Sequence, residues 1–414
     1  MAKISISFFS WWNTVGLVVP AFIFLSCSNQ QVADPNPAGM SWPSVLAAAK
    51  GKTVVMNMHM GDKKANSYMH DYVVPALKKQ YDITLAIAPG QGKEIINNIM
   101  SEKESGNSKG QIDLCWINGE TFYQLRQLNG LYGPFTNQLP NARLINFSDP
   151  LIRYDFQEEV NGFEAPWGKA YFFGVTDTAR VRKIPITMQD FSAYWKEHPG
   201  RFTIPQDFMG LTLLKSWLIE LAGGISNLDG PFNEERYQKS SAQLWKFVND
   251  NKQYFWKNGE TFPASGTTVS QLFGNGELDF TFAFGNADAD KKVAEGIYPP
   301  SAHLFILAAG CTSNTNYLGI PFNASVKPAS MVVCNFLLSP EAQVKKSDVA
   351  SWGSDMVLDY SRLDPRWKAA YDAIPPLRYG LPQAEIRQKS IKETNPEYMI
   401  RIADDFRKNV IDKR

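Results

Sequence analysis

Residues 53–60 (TVVMNMHM), 83–88 (ITLAIA) and 112–117 (IDLCWI) are short runs of apolar and β-branched residues, closed by Gly61-Asp62, Pro89-Gly90 and Asn118-Gly119 respectively. Residues 63–80 and 92–104, which separate them, have helical periodicity, and Pro75 must kink or split the first of these helices. Strands alternating with helices predict an α/β fold whose parallel sheet is covered by helices. In such sheets a ligand binds beyond the carboxyl ends of the strands. That directs attention to the loops 59–62, 90–93 and 118–120.

Working outward, 164–177 (EAPWGKAYFFGVTD) predicts one long aromatic strand after a Pro-Trp-Gly turn. Helices are expected at 188–198, 211–221, 236–249 and 267–273. Strands are expected at 199–205 and 278–284, and together these make a second α/β domain. Residues 311–324 (CTSNTNYLGIPFNA) read as a strand crossing back to the first domain. A helix over 330–338 then meets Ser339-Pro340, where Ser339 suits an N-cap and Pro340 the first turn of the next helix. Further helices are expected at 365–373 and 396–411.

The amino terminus reads as an export signal. Lys3 precedes an apolar run at 15–25 (VGLVVPAFIFL) that is too short to cross a bilayer as a helix. Ser26-Cys27 follows it and resembles a bacterial lipobox, which makes Cys27 the expected lipidation site; an ordinary cleaved signal is the plainer alternative. Residues 28–41 are polar and cannot bury a core, so they read as a tether. About 370 residues remain, a length suited to two domains.

Composition removes several classes. A net charge of +1 gives no footing for a nucleic-acid partner. Cys115, Cys311 and Cys334 are too few and too scattered for a disulfide framework and read as buried small hydrophobes. The four histidines have no ligand spacing, so neither a metal nor a cofactor is expected. There is no G-x-S-x-G elbow, H-E-x-x-H or P-loop. An aromatic fraction of 13% fits either a generous core or an aromatic-lined site.

GIPFNAS (319–325) followed by NFLLSPEAQ (335–343) resembles the extracellular solute-binding proteins of bacterial ABC importers. The closer likeness is to their YnjB-like subgroup. It rests on IDLCWINGETF (112–122), GPFTNQLPN (133–141), GFEAPWGKA (162–170), PGRFTIP (199–205) and SWGSDMVLD (351–359). The resemblance implies a two-lobe periplasmic-binding-protein type II fold with a ligand cleft between the lobes. It places lobe 1 at 42–168 and 318–414, lobe 2 at 169–317, and the crossing strands at 169–177 and 315–321. It implies a monomer that captures a small-molecule solute by hinge closure and delivers it to an ABC permease in the inner membrane.

On that reading the ligand-binding candidates are Asp62, Trp116, Asn118, Glu120, Tyr171, Phe284, Asn286 and Asn316. Each also has a plainer reading. Asp62 suits an N-cap, Trp116 the core, Asn118 a left-handed turn, Glu120 a first-turn helix charge, and Tyr171 lobe packing. Aromatic faces with carboxylates suit an organic cation such as thiamine or a polyamine; an oligosaccharide also fits rings and amides. The rival class is an exported glycoside hydrolase using paired carboxylates, for which Glu277 and Asp279 are the available pair.

Overall fold

The computed structural model describes residues 36–412. The signal segment, Cys27 and the first part of the tether lie outside them. Strands β1 (Thr53–Met58), β2 (Thr84–Pro89) and β3 (Leu114–Ile117) are parallel, with β1 in the middle. The hairpin strands β4 (Tyr154–Asp155) and β5 (Glu158–Glu159) precede β6 (Glu164–Tyr171) and β7 (Phe173–Asp177). Then come β8 (Phe280–Ala283), β9 (Ala302–Phe305), β10 (Cys311–Gly319) and β11 (Ser390–Ile391). The antiparallel β10 joins the first sheet beside β3 and carries β6 along its length, from Gly319↔Glu164 to Ser313↔Tyr171. The second sheet is antiparallel, ordered β8-β7-β9.

The aromatic run 164–177 is therefore two strands in two sheets. The break falls at Phe172, whose N–H donates to Thr312 O (3.0 Å), while Phe173 already pairs with Ala283. Residue pattern alone cannot register this change, because apolar side chains are wanted on both sides of it. The crossing strands are 164–171 and 311–319. The segment 199–205 forms no strand. Its residues Phe202 and Ile204 are buried, but its carbonyls serve isolated partners, Arg201 O taking Asp279 N–H and Phe202 O taking Trp256 N–H.

Four apolar clusters accompany the two sheets, two of them large. The first gathers Val54, Met56, Leu114, Trp167, Leu318 and Met331. The second is aromatic, with Phe172, Phe191, Trp195, Phe202, Trp217 and Phe282 in contact. Many of the aromatic residues among those described are thus core. The C-terminal helix Pro396–Phe406 puts Tyr398, Ile402 and Phe406 into this second core. The assignment of all of 318–414 to the first lobe does not hold there. The chain recrosses where β11 adds to β10 at Cys311 and Thr312, and an amphipathic helix does not specify which core receives its apolar face.

Local expectations are met where they rest on local chemistry. Ser339 Oγ accepts from Ala342 N–H (3.2 Å) with Pro340 in the first turn. The helical run 63–81 is divided just ahead of Pro75. A π turn over Tyr68–Val73 leads into Val74–Tyr81, with Pro75 in the first turn of that segment. Cys115, Cys311 and Cys334 are free and buried, and burial pushes the Cys115 and Cys311 thiols up to about 12.

Candidate functional site

The loops after β1 and β3 lie against elements from other parts of the chain. After β1 the loop at Gly61 lies close against the helix Gly266–Gly274. A side chain on Gly61 would run into the His59 ring and reach within 3.3 Å of Thr267 Oγ1. His59 Nδ1 and Gln91 Oε1, from the β1 and β2 loops, share a hydrogen bond (3.0 Å).

Asp62 both caps and bridges. Its Oδ1 accepts from the N–H of Lys64 (2.9 Å) and Ala65 (3.1 Å), which starts the helix Lys63–Ser67. Its Oδ2 accepts from Lys291 Nζ (3.0 Å), on the helix Asp288–Ala294, and from Trp352 Nε1 (3.1 Å). Burial opposes its ionisation, but the Lys291 charge and these hydrogen bonds bring the carboxyl below its ordinary value. Trp352 leads on to Trp116, whose half-buried ring meets Trp167 (5.0 Å) and Trp352 (5.9 Å) edge to face.

Asn118 is extended (φ −120°, ψ 169°), not left-handed, and starts the helix Gly119–Gln127 without a side-chain cap bond. The glycine after it is required by packing. A Cβ at Gly119 would penetrate the ring of Phe156, which is buried at the tip of the β4–β5 hairpin. Phe156 and Gln157 both have positive φ (45° and 66°). That costs backbone energy and is stabilised by its surroundings. Gln157 Nε2 donates to Glu393 O (2.7 Å), and Gly230 N–H donates to Gln157 Oε1 (2.9 Å).

Glu120 belongs to a buried charge cluster. Lys215, on the helix Phe208–Leu221, is fully buried, ion-paired with Glu393, and holds its ammonium 4.4 Å over the Phe156 ring. Burial raises the Glu120 carboxyl; its own amide and Lys215 oppose this, and Glu393 adds to it. Burial raises Asp155 well above its usual value despite a hydrogen bond from Asn314 Nδ2 (3.0 Å), and Glu120 and Glu393 push it further. Glu120 Oε2 and Asp155 Oδ2 are buried without a hydrogen-bond partner. A cavity of about 320 Å³ opens beside the cluster, lined by Tyr154, Phe156, Gln157, Asn314 and Glu393 among others.

A row of rings connects this cluster to the second sheet. Phe156 meets Phe208 (6.4 Å), Phe208 meets Phe284 (5.3 Å), and Phe284 meets Phe172 (5.3 Å). Tyr171 stacks on Phe173 (6.2 Å) and donates its backbone N–H to Phe284 O (3.5 Å). Asn286 stands apart from this row. Both ends of its amide are taken by the backbone of Leu381, through Nδ2 to O (2.9 Å) and Oδ1 from N–H (2.7 Å), so it ties down a loop. Asn316 sits at a register shift in β10, beside Gly168. Next to it the buried Lys346 donates to Trp167 O (2.5 Å) and Asp355 O (2.9 Å), and burial pulls its ammonium down to about 7.

The fold thus brings Asp62 to Trp116 through Trp352, and Glu120 to Phe284 through Phe156 and Phe208. Sequence reasoning missed Phe156, Lys215, Lys291 and Lys346, whose importance lies in partners remote along the chain. Trp352 was within reach, since it stands in SWGSDMVLD. The hydrolase pair is engaged elsewhere. Asp279 is held by Arg201 (2.9 Å), Arg180 (3.2 Å) and Tyr194 Oη (2.7 Å), and Glu277 accepts from Trp256 Nε1 (3.3 Å).

Two α/β lobes joined by crossing strands, with rings and carboxylates between them, are the architecture of the type II periplasmic binding proteins. Solved structures share it. AfuA from Actinobacillus pleuropneumoniae, with fructose-6-phosphate bound, aligns with a TM-score of 0.61 at 13% identity, over 87% of this chain and 98% of that one. PotD, a spermidine/putrescine substrate-binding protein from Streptococcus pneumoniae, aligns at 0.57 and 10% identity, over 86% and 98%. The chain belongs to the bacterial extracellular solute-binding proteins, whose family model matches residues 72–369. It is 33% identical over 326 residues to Protein YnjB of Escherichia coli (strain K12), covering 78% of this chain and 84% of that protein. It is the exported, extracytoplasmic solute-binding component of an ABC importer, which hands a small molecule to a permease, and is not an enzyme.

Proposed function

We propose that the captured solute is a small organic cation of polyamine or thiamine type, held between the lobes by Asp62, Trp116, Asn118, Glu120, Tyr171, Phe284 and Asn316. One observation carries this reading. Glu120 Oε2 and Asp155 Oδ2 are buried without a hydrogen-bond partner near the ion pair of Lys215 and Glu393. Such oxygens favour a further cationic donor. The half-buried rings of Trp116, Tyr171 and Phe284 add faces for a cation. The protein acts as a monomer, is anchored through lipidated Cys27, and closes by hinge motion at the crossing strands.

The test is thermal unfolding of the purified protein, after unfolding and refolding to strip carried-over solute, against polyamines, thiamine, sugars and metal ions. Binding to the native state raises stability by about 2.7 kcal/mol at a hundredfold excess over Kd. Stabilisation by polyamines or thiamine is expected. Stabilisation by sugars alone would overturn the cation assignment. Glu120→Ala and Trp116→Ala should each weaken binding; if neither does, the site assignment is wrong.

A further inference from the structure

Lys346 lies near the end of the helix Pro340–Ser347 and is fully buried. Its ammonium donates to three neutral oxygens, Trp167 O (2.5 Å), Asp355 O (2.9 Å) and Ser354 Oγ (3.5 Å). A cation buried on neutral acceptors costs folding energy that an apolar side chain of similar size would not. Stability alone therefore gives no reason for a lysine here.

Both ends of this residue hold one loop. Lys346 O accepts from the N–H of Gly353 (2.9 Å) and Ser354 (3.1 Å), while Nζ takes Ser354 Oγ and Asp355 O. Gln343, one turn earlier, holds the rest of it. Its Oε1 accepts from Val357 N–H (3.1 Å), and its Nε2 donates to Trp167 O (3.0 Å). Residues 353–357 are thereby fastened to the crossing strand β6 at the carbonyl of Trp167. Room for the ammonium depends on Gly168, where a Cβ would stand 3.2 Å from Nζ and 3.6 Å from Asn316 Nδ2.

Trp352 stands immediately before the fastened segment. Its Nε1 donates to Asp62 Oδ2 (3.1 Å), and its ring meets Trp167 (5.2 Å) and Trp116 (5.9 Å). The Lys346 ammonium lies 5.7 Å from the centre of that ring. Once the main chain beside it is fixed, staggered side-chain torsions leave the ring few places to go. The reach of Trp352 to Asp62 and Trp116 is thus set by what holds 353–355.

We propose that Lys346 is a positioning residue of the solute site: by fastening 353–355 to β6 it aims Trp352 at Asp62 and Trp116. This role rests on the placement of Asp62 and Trp116 in that site, as proposed above. Burial, with a contribution from Lys169, pulls the ammonium down to about 7 against the opposing charge of Asp355. Asp355 and Lys169 are the charged groups that face it; burial raises the Asp355 carboxyl, and Tyr171 and Tyr371 lie around Asp355 in turn. A change of charge this close to an indole ring alters its spectrum, which gives the role a direct readout.

The experiment uses the purified protein and two variants. Lys346→Met keeps the stem and removes the donors; Trp352→Phe keeps a ring and removes the Nε1 donor. Near-ultraviolet circular dichroism, which follows the tryptophans, is recorded from about pH 6 to about pH 8.5 to bracket the titration of a buried ammonium. The wild type should show a transition with its midpoint at about 7, and Lys346→Met, checked for native far-ultraviolet dichroism, should not. In calorimetric titration with spermidine and thiamine, Lys346→Met should bind about tenfold more weakly, the scale of one hydrogen bond from a charged group. It should add little to the loss caused by Trp352→Phe. A wild type without the transition, a transition that Lys346→Met leaves unchanged, or a folded Lys346→Met with wild-type affinity would each overturn the proposal. If Lys346→Met does not fold, the wild-type transition and its loss in Trp352→Phe decide. If neither spermidine nor thiamine binds the wild type, the cation preference fails, and the tryptophan transition alone decides the role of Lys346.

Discussion

Asp62 Oδ2 and Lys291 Nζ lie 3.0 Å apart, joining the loop after the first strand to the helix between β8 and β9 of the second sheet. The pair joins helices that pack into different apolar clusters, through Ala65 in one and Ala289 in the other, while the other Asp62 oxygen caps a helix. Asp62→Asn should keep most of the cap and lose the charge, whereas Asp62→Ala should lose both. Because Asp62 is a third exposed, we expect about 0.5–1 kcal/mol for the asparagine and about 1–2 kcal/mol for the alanine in urea unfolding. The Asp62 carboxyl is depressed, so its contribution is complete above the unfolded value of 3.8 and fades as pH falls through the folded one. Wild type and Asp62→Asn should therefore converge in acid; an equal gap at every pH would count against the ion pair.

Lys215→Met should be among the most damaging substitutions. It removes the one ammonium inside a buried cluster and leaves Glu393 uncompensated, a loss of about 3–5 kcal/mol. Adding Glu393→Gln should restore a large part of that stability. Chemical denaturation of both variants at neutral pH checks this, and strictly additive losses would show that the pair is not coupled.

Gly119→Ala should destabilise by about 1–3 kcal/mol, because the new methyl must displace the buried Phe156 ring. The cost comes from that ring, not from the backbone, since Gly119 is not among the positive-φ positions. In the background Phe156→Ala the same substitution should be nearly silent. A double-mutant cycle with no interaction would refute the contact.

Glu164→Gln should stabilise the protein at neutral pH. Both Glu164 oxygens are buried without partners, and burial together with Asp155 raises its carboxyl well above the usual 4.5. A carboxyl raised in the folded state supports folding below its unfolded value and loses that support as pH rises. The wild type should thus lose stability as pH rises above the unfolded value of 4.5 more steeply than the variant, which should be more stable by roughly 1–2 kcal/mol once the folded carboxyl has ionised. Parallel slopes would remove Glu164 from the account.

The strand–helix alternation of 53–117 was legible because each element answers to residues within a few positions of itself. The same is true of Ser339, whose cap is satisfied three residues on, and of Asp62 in its role as a cap. The candidate site was legible only in part. Trp116, Glu120 and Phe284 were singled out because strand ends face the cleft in this fold, and the structure sets Trp116 in a ring cluster with Trp167 and Trp352, Glu120 beside the Lys215–Glu393 pair, and Phe284 between Phe172 and Phe208. Asn286 was placed there by the same rule, but the structure spends its amide on Leu381, 95 residues away. The plainer reading of Asn118, a left-handed turn suggested by its Asn-Gly pair, fails because the residue is extended and the glycine answers to Phe156.

By itself the sequence determined the α/β class, the order of the elements, their caps and the two-lobe family, since propensity, periodicity and motif order are properties of neighbouring residues. Only the tertiary structure decided that the aromatic run breaks between two sheets at Phe172 and that the C-terminal helix enters the second core. It also decided that Glu120, Asp155, Glu393 and Lys215 share one buried cluster. Burial and charge pairing are set by which groups lose water together, and that depends on contacts between segments far apart along the chain.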